Sequence, residues 1–237
     1  LVRTNTMSNI KDYVLAIDNG TQSVRALVFD LDGQLVAKSK IDIEPYYSDQ
    51  PGWAEQRVEY FWENLCKACN ALWPQLDFPK SAIKSVALTT QRATVVNLDS
   101  EGKPLRPAII WLDQRLEKKL PGMGIWNVLL ALAGVKETVQ FFRSQAEAHW
   151  IRNNQPEIWE KTAKYLLLSG YLTYQLTGKY VDSVASQVGY LPFDFKRHDW
   201  AGPLDWKWRA LPIKRRQLPD LVPAGSPLGV ISAQAAK

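Results

Sequence analysis

Residues 13–36 constrain the fold of this chain most strongly, because three short apolar segments follow one another with almost no room between them. Asp18-Asn19-Gly20-Thr21-Gln22-Ser23 separates the first from the second, and Asp30-Leu31-Asp32-Gly33 separates the second from the third. Glycine in a turn between β-rich segments predicts tight reversals, so we expect three consecutive strands. The first turn carries a carboxylate, hydroxyl groups and a glycine that admits ligand oxygens, a composition that can hold phosphate and Mg²⁺. An ordinary hairpin with a polar turn explains the same residues.

Bulk properties indicate a globular protein with enough residues for a large core. No apolar segment approaches the roughly 20 residues that span a bilayer, and the first residues lack the apolar core of a signal peptide. We therefore expect a cytoplasmic protein with no membrane partner. Residues 1–10 are expected to be a leader or a disordered start, in which Met7 can be the natural first residue.

The net charge of +5 does not predict a nucleic-acid partner, because the basic residues are spread along the chain. Solvated loops explain the clusters Lys214-Arg215-Arg216 and Lys118-Lys119 equally well. Cys66 and Cys69 are interpreted as structural, since they lie in a segment with helical apolar spacing and no second cysteine pair completes a metal site. His149 and His198 are likewise expected to be structural.

The remaining pattern predicts an α/β fold. A helix is expected over Glu59–Trp73. The further predicted strands are Ile83–Thr90, Thr94–Leu98, which continues across a turn to form a hairpin closed by Asp99–Gly102, and Pro107–Trp111. The pattern is helical from Leu116 to about Gln155, and helices are also predicted over Pro156–Lys161, over Tyr165–Leu176, which Gly178 ends, and near Ile213–Leu218. This order suits a mixed sheet with flanking helices and a helical insertion between about 116 and 178.

Five separated motifs resemble the amino-terminal domain of the FGGY carbohydrate kinases, the family of glycerol, xylulose, ribulose and gluconate kinases. The motifs are Asp18–Arg25, Pro51–Gln56, Thr89–Arg92, Pro107–Arg115 and Tyr171–Gly178. The resemblance implies a ribonuclease H-like (actin-type ATPase) fold. It also implies that 11–237 form the amino-terminal, sugar-binding domain and that the carboxy-terminal nucleotide-binding domain is absent from this chain.

The resemblance also implies the reaction. Members of the family transfer the γ-phosphoryl group of ATP to a sugar or polyol hydroxyl, so ATP and Mg²⁺ are the expected cofactors, a sugar or polyol is the expected partner, and a homo-oligomer is also implied. The residues expected to face the phosphates are Asp18, which would also bind the metal, Gly20, Thr21, Gln22, Ser23 and Arg25. Simple capping of the turn is the alternative for Thr21 and Ser23.

The residues expected on the sugar side are Gln91, Arg92, Trp111 and Asp113. A guanidinium can donate two parallel hydrogen bonds to adjacent hydroxyls, and an indole face can pack against sugar C–H groups. Two alternatives stay open, namely core packing for Trp111 and a structural ion pair between Asp113 and Arg115.

Two departures from the family pattern limit what the resemblance implies. Glycerol kinases have a glutamate directly after the arginine and xylulose kinases have a histidine, whereas this chain has Ala93, so neither substrate is carried over. A tyrosine that glycerol kinases offer to the substrate would fall near Phe142.

The general-base aspartate is expected beyond Lys237, so the chain is expected to be a substrate-binding half that is incomplete for catalysis.

Two other functions compete with the kinase. Val28–Val36 looks like the signature of haloacid-dehalogenase-like phosphatases, with Asp30 as nucleophile and Asp32 as general acid. Gln34 stands where that signature has threonine, and no later acidic pair follows, so Asp30–Gly33 can instead be a tight hairpin turn. A non-catalytic sugar-binding module is the second competing function.

Overall fold

The computed structural model describes residues 11–236, which form two compact units. The first unit comprises the described residues up to Pro45 together with Phe61–Thr90, and the second comprises Tyr46–Tyr60 and the described residues from Gln91 onward. The predicted leader, including Met7, lies outside the described residues. In the described part of the chain, every helix is too short or too polar to cross a membrane.

The chain combines strands and α-helices, as expected of an α/β fold. The strands are β1 (Tyr13–Asn19), β2 (Ser23–Asp30), β3 (Leu35–Asp42), β4 (Glu55–Gln56), β5 (Ile83–Thr90), β6 (Val95–Leu98), β7 (Ala108–Ile109), β8 (Lys164–Leu167), β9 (Val181–Ser183), β10 (Phe193–Asp194), β11 (Asp199–Trp200) and β12 (Asp220–Val222). The α-helices are α1 (Val58–Leu72), α2 (Ile125–Leu132), α3 (Lys136–Gln145), α4 (Glu147–Asn154), α5 (Pro156–Lys161), α6 (Leu168–Thr177) and α7 (Lys207–Ala210). Short 3₁₀ helices cover Trp73–Gln75, Lys80–Ala82, Val184–Ser186 and Arg215–Gln217.

The first unit contains a four-stranded mixed sheet in the order β3-β2-β1-β5. β1 is antiparallel to β2 and parallel to β5, and β2 is antiparallel to β3. Val24, Ala26 and Val28 alternate along β2 and are fully buried, as expected of a strand with one face on a core. The prediction of three consecutive strands followed by a helix and a strand in a mixed sheet is confirmed.

Helix α1 contributes its apolar side chains to the core of this unit. Phe61, Leu65, Ala68 and Leu72 recur at helical spacing and are at most 2% exposed. Ser39 Oγ donates to the carbonyl oxygen of Ala68 at 2.6 Å, which joins β3 to the helix. Both cysteines lie on α1 with free thiols, and burial raises the pKa of Cys69 to about 12, so this thiol stays protonated and packs as an apolar group.

The turn between β2 and β3 is closed by its own aspartate. Asp30 Oδ1 accepts hydrogen bonds from the backbone nitrogens of Asp32 at 3.0 Å and Gln34 at 2.9 Å. Gly33 N donates to the carbonyl oxygen of Asp30 at 3.1 Å. The hairpin interpretation therefore accounts for these acidic residues, because the carboxylate satisfies backbone donors of the turn.

The second unit contains a four-stranded antiparallel sheet in the order β4-β7-β6-β8. β9 pairs in parallel with β12, and β10 and β11 form a short hairpin. The core of this unit joins residues of the sheet, of α4 and of the β10–β11 hairpin. Its most buried members include Val95, Ile109, Ala148, Ile151, Tyr165, Leu167 and Phe193. His149 lies in the same helix α4, buried, with Nε2 2.7 Å from the carbonyl oxygen of Ala210, and burial lowers its pKa.

Two sequence-based expectations about secondary structure are wrong. β5 and β6 do not pair as a hairpin, because β5 joins the sheet of the first unit whereas β6 lies between β7 and β8. All four residues of β6 are buried, which is typical of a central strand with neighbours on both sides. The turn at Asp99–Gly102 is confirmed, but it connects β6 to the segment that pairs with it at Pro104.

The second error concerns the predicted helical insertion. Helix α2 begins only at Ile125, and Lys164–Leu167 is a strand that precedes α6. A short apolar segment that is buried throughout does not distinguish a strand from a helix by periodicity, and Tyr165–Leu167 is such a segment. The end of α6 at Gly178 is confirmed, since Gly178 N donates to the carbonyl oxygen of Tyr174 at 2.7 Å.

Substitution of two glycines of the second unit separates backbone strain from side-chain overlap. Gly102 and Gly178 have φ values of 80° and 72°, but only at Gly102 would a Cβ atom overlap the ring of Tyr174, which stacks on Tyr180 with centroids 4.4 Å apart. We expect Gly178→Ala to lower the free energy of unfolding by about 1 kcal/mol, and Gly102→Ala by about 1 to 3 kcal/mol more. Denaturant unfolding measures both, and equal losses would contradict the packing at Tyr174.

Candidate functional site

The loop between β1 and β2 is the predicted phosphate site of the first unit. The register places Asp18, near the end of β1, opposite Arg25 on β2 and beside Thr89 on β5. Arg25 Nη1 donates to Asp18 Oδ2 at 2.9 Å, and the Asp18 side chain is 34% exposed. One end of the sheet thus presents a carboxylate, a guanidinium and a hydroxyl group to solvent.

The loop itself has a fixed backbone. Gly20 N donates to the carbonyl oxygen of Ser23 at 3.0 Å, and a Cβ on Gly20 would lie only 3.2 Å from that oxygen. Asn19 is fully buried, and its Nδ2 donates to the carbonyl oxygen of Phe61 at 3.3 Å. Gln22 is exposed and Thr21 partly so, whereas Ser23 is 6% exposed. The burial of Ser23 favours a structural role for its side chain, and leaves Thr21 and Gln22 as the accessible polar residues of the loop.

The residues near Asp18 fit a magnesium ion that arrives with phosphate. Mg²⁺ in phosphoryl-transfer sites is usually held by one or two carboxylates, with phosphate oxygens and water completing its coordination. Asp18 supplies one accessible carboxylate. Within residues 11–236 no three His, Cys, Asp or Glu side chains come together as a metal site. The loop therefore fits a metal held jointly with a nucleotide better than a metal bound by protein alone.

In the second unit, the predicted sugar residues Gln91 and Arg92 begin the turn that follows β5. Arg92 is exposed, and its Nη2 donates to the carbonyl oxygen of Gln187 at 2.8 Å. Ala93, the next residue, has a φ of 55°, in the left-handed region that alanine rarely occupies. Such a conformation costs about 1 to 2 kcal/mol and is found most often where a functional turn requires it.

Asp182 and Gln187 hold the segment that contacts Arg92. Gln187 Nε2 donates to Asp182 Oδ2 at 3.1 Å and to the carbonyl oxygen of Ser183 at 3.0 Å. Ser169 Oγ donates to the same carboxylate oxygen at 2.7 Å. Asp182 is 1% exposed, and burial raises its pKa against the effect of these hydrogen bonds. Neither Asp182 nor Gln187 was predicted from the sequence. The only sequence signal for them was the acidic residue Asp182 in the short strand β9.

Arg92 and Gln187 line an open cavity of about 680 Å³ within the second unit. Arg197 and His198, on the turn between β10 and β11, form another part of its wall. The apolar part of the lining includes Phe193, Phe195, Val184, Leu221 and Val222. His198 has a φ of 54°, so the described non-glycine residues with left-handed backbones are His198 and Ala93, one on this wall and one next to Arg92. His198, expected to be structural, therefore lies where a ligand can reach it.

Trp111 does not pack into the core, so the alternative role of core packing is wrong for this residue. The residue is 51% exposed and lies on the turn after β7, where Asp113 N donates to the carbonyl oxygen of Ile110 at 2.9 Å. An exposed indole face of this kind can pack against the C–H groups of a sugar. Phe142, the position compared with the tyrosine of glycerol kinases, is 49% exposed on α3.

Asp113 forms the structural ion pair that was its alternative role. Its two oxygens accept from Arg115 Nε at 2.8 Å and Arg115 Nη2 at 2.7 Å, and Oδ2 also accepts from the backbone nitrogen of Ala54 at 2.7 Å. The side chain is 3% exposed. Because both oxygens have buried protein partners, the geometry favours support of the Trp111 turn over direct contact with a sugar.

Arg115 connects two of the motifs that carry the family resemblance. Its guanidinium carbon lies 4.0 Å from the ring centroid of Trp53 and 4.5 Å from that of Trp150, and Nη2 lies 2.9 Å from Glu55 Oε1. Glu55 also pairs with Arg106. The two motifs therefore meet in one cluster of buried charges and rings, and this cluster supports the turn that presents Trp111. Its members are Trp53, Glu55, Arg106, Asp113, Arg115 and Trp150.

Glu147, at the start of α4, lies near this cluster. Protein atoms surround its carboxyl group although part of the residue reaches solvent. Burial raises the pKa of Glu147 to about 7, its own backbone nitrogen lowers it, and the neighbouring Asp113 raises it further. Because the pKa in the folded state is above that in the unfolded state, stability decreases as the pH rises through about 7.

Glu147→Gln tests this pH dependence. Glutamine is neutral at every pH, so we expect the variant to match the parent at pH 4, below the unfolded-state pKa, and to exceed its free energy of unfolding by about 1 to 2 kcal/mol at pH 8, a value reduced for partial solvent exposure. Denaturant unfolding at the two pH values gives the comparison, and Glu160→Gln, at an exposed position of α5, is the control. A difference from the parent that is the same at both pH values would contradict the assignment.

Comparisons with known proteins agree with the residue-level resemblance. The family model described as "FGGY family of carbohydrate kinases, N-terminal domain" matches residues 13–237. A glycerol kinase of Thermococcus gammatolerans is 29% identical over 194 residues, covering 79% of this chain and 39% of the relative. A xylulose kinase of Lactococcus lactis subsp. lactis is 28% identical over 227 residues, covering 95% of this chain and 44% of the relative.

Among solved structures, a gluconate kinase from Lactobacillus acidophilus superposes with a TM-score of 0.76 at 19% identity, covering 95% of this chain and 45% of that one. This likeness confirms the predicted actin-type ATPase fold. This chain spans less than half the length of each of these relatives. None of these comparisons supports a haloacid-dehalogenase-like phosphatase. With the family model matched over nearly its whole length, the chain belongs to the FGGY family of carbohydrate kinases and corresponds to the N-terminal domain of that family.

Proposed function

We propose that this chain is the sugar-binding half of an enzyme that transfers the γ-phosphoryl group of ATP to a hydroxyl of a sugar or polyol. The match to the N-terminal domain of the family over residues 13–237 carries the proposal. The general-base aspartate and the nucleotide-binding domain would be supplied by sequence that follows Lys237. The proposed enzyme is cytoplasmic, acts on a small molecule and forms a homo-oligomer.

The first unit would contact the phosphates. Phosphoryl transfer requires positioning and neutralisation of charge more than covalent chemistry by the protein. Asp18 would hold Mg²⁺, which neutralises phosphate charge when it is bound. Gly20 has no Cβ to crowd the Ser23 carbonyl oxygen, so the loop can turn tightly, and its residues Thr21 and Gln22 would face the phosphates. Arg25 orients the Asp18 carboxylate through their ion pair.

The second unit would bind the sugar. Arg92 uses one N–H group on Gln187 and has others to offer to hydroxyls, with Gln91 as its neighbour in the same turn. Trp111 would supply an apolar face for C–H groups. Asp113 contributes through Arg115 and the buried cluster, as a positioning residue for this turn.

Individual substitution of Asp18 and Asp30 distinguishes the kinase function from the phosphatase alternative. We expect Asp18→Asn to lower kcat of the full-length gene product at least about 100-fold on a panel of pentuloses, hexuloses and polyols, since the metal loses its carboxylate ligand. Asp30→Asn, where the β2–β3 turn begins, should change kcat less than about twofold, as expected of a partly exposed turn residue whose oxygen asparagine also supplies. Aryl phosphatase activity that survives Asp18→Asn and is lost in Asp30→Asn would instead favour the phosphatase. Sugar binding without any phosphoryl transfer would favour the non-catalytic module.

Truncation of Trp111 tests the sugar face. We expect Trp111→Ala to raise KM for the sugar roughly tenfold and to leave KM for ATP unchanged, because the lost contact is worth on the order of 1 to 2 kcal/mol. Trp111→Phe retains an aromatic face and should recover most of the affinity. Steady-state kinetics measure both variants. Lower stability with an unchanged sugar KM would show that the ring serves packing instead.

A further inference from the structure

The cavity beside Arg92 has a second basic wall that the proposed sugar contacts do not use. Arg197 and His198 form this wall, on the turn that joins β10 to β11. The backbone of the turn is held in place, because Asp194 Oδ1 accepts from the backbone nitrogens of Lys196 at 2.9 Å and Arg197 at 3.2 Å. The guanidinium of Arg197 thus extends from an ordered turn.

The charged groups that line the cavity have an excess of positive charge. Arg92 and Arg197 each carry one positive charge and Asp199 carries one negative charge, so these three side chains give the lining a net charge of +1. Asp199 Oδ1 is occupied by the backbone nitrogen of Trp200 at 2.7 Å. Apolar side chains form much of the remaining lining.

We propose that this cavity binds the carboxylate of an acidic sugar or polyol, with Arg197 and His198 on the carboxylate and Arg92 on neighbouring hydroxyls. The proposal rests on the proposed function, whose substrate class it narrows. A guanidinium matches a carboxylate in a two-bond geometry, and a carboxylate carries the single negative charge that balances the lining. A phosphate group carries about 1.5 to 2 negative charges and would leave the cavity with excess negative charge.

The volume and the backbone of the cavity agree with this assignment. A cavity of about 680 Å³ lies within the range typical of small-molecule sites and has room for a five- or six-carbon chain with an added acid group. His198 has a left-handed backbone at this wall, a conformation that clusters at active sites and ligand clamps.

The test compares acids with matched neutral polyols in which a hydroxymethyl group replaces the carboxylate. The chain is titrated calorimetrically with gluconate and sorbitol, galactonate and galactitol, and xylonate and xylitol. We expect at least one acid to bind about tenfold or more tightly than its neutral partner, as a hydrogen bond to a charged group allows. Binding of none of the acids, or equal binding of each acid and its partner, would overturn the proposal. Tighter binding of inorganic phosphate than of every acid would overturn it as well.

Variants on the turn between β10 and β11 show which side chains produce the preference for the acid. Arg197→Gln should reduce affinity for the acid about tenfold and leave that for the neutral polyol unchanged. His198→Asn should weaken the acid severalfold, and asparagine tolerates the left-handed backbone, so the turn is retained. Lys196→Gln removes a neighbouring exposed charge outside the lining and should change neither affinity. A preference for the acid that persists in Arg197→Gln would overturn the assignment.

The two proposals fail in different ways. If neutral sugars are phosphorylated by the full-length gene product while no acid is preferred, the kinase function stands and the carboxylate site is wrong. If an acid binds through Arg197 but no phosphoryl transfer occurs, the carboxylate site stands and the kinase function is wrong. Arg92→Gln should weaken acids and neutral polyols alike, which separates hydroxyl recognition from carboxylate recognition.

Discussion

The burial of Arg115 is the interaction on which the second unit depends. An uncompensated charge inside a protein costs several kcal/mol, so a buried guanidinium needs carboxylate partners and close packing. Arg115 has both, because it forms ion pairs with Asp113 and Glu55 and its guanidinium lies over the rings of Trp53 and Trp150. Arg106 and Arg115 balance Glu55 and Asp113, so removal of either carboxylate leaves one buried positive charge uncompensated. The segments that contain them are therefore held together, and the turn bearing Trp111 is fixed as a result.

The same cluster shows why buried ions matter here for geometry more than for stability. A hydrophobic replacement of similar volume can often stabilise a core as well as a buried ion pair does. It cannot replace the bidentate bond that fixes Asp113 or the contact of Asp113 with Ala54 N. Trp111 lies two residues before Asp113 in the same turn. The position of its exposed indole therefore follows from that of Asp113. The ionic cluster thus defines where an apolar sugar-binding face can lie.

Local sequence patterns predicted the parts of the fold that are determined locally. The alternation in Val24–Val28 and the helical spacing from Phe61 to Leu72 each bury one face, and both elements are present. The partners of Val95–Leu98 could not be predicted, because a fully buried strand carries no alternation and its neighbours come from distant residues. The exposure of Trp111 and the closure of Trp53 and Trp150 around Arg115 depend on the same long-range packing. The candidate site was predicted through its motifs, whereas Asp182, Gln187 and Arg197 became visible only from their contacts.

The left-handed backbone of Ala93 affects which substitutions can be selected at this position. Glycine at this position would relax the left-handed backbone and remove the cost that alanine bears there. The same change would give the turn after Arg92 more freedom and make its side chain less well placed before a ligand arrives. Selection for thermal robustness and selection for affinity therefore act in opposite directions on this one methyl group, and its retention is expected only while the turn is in use.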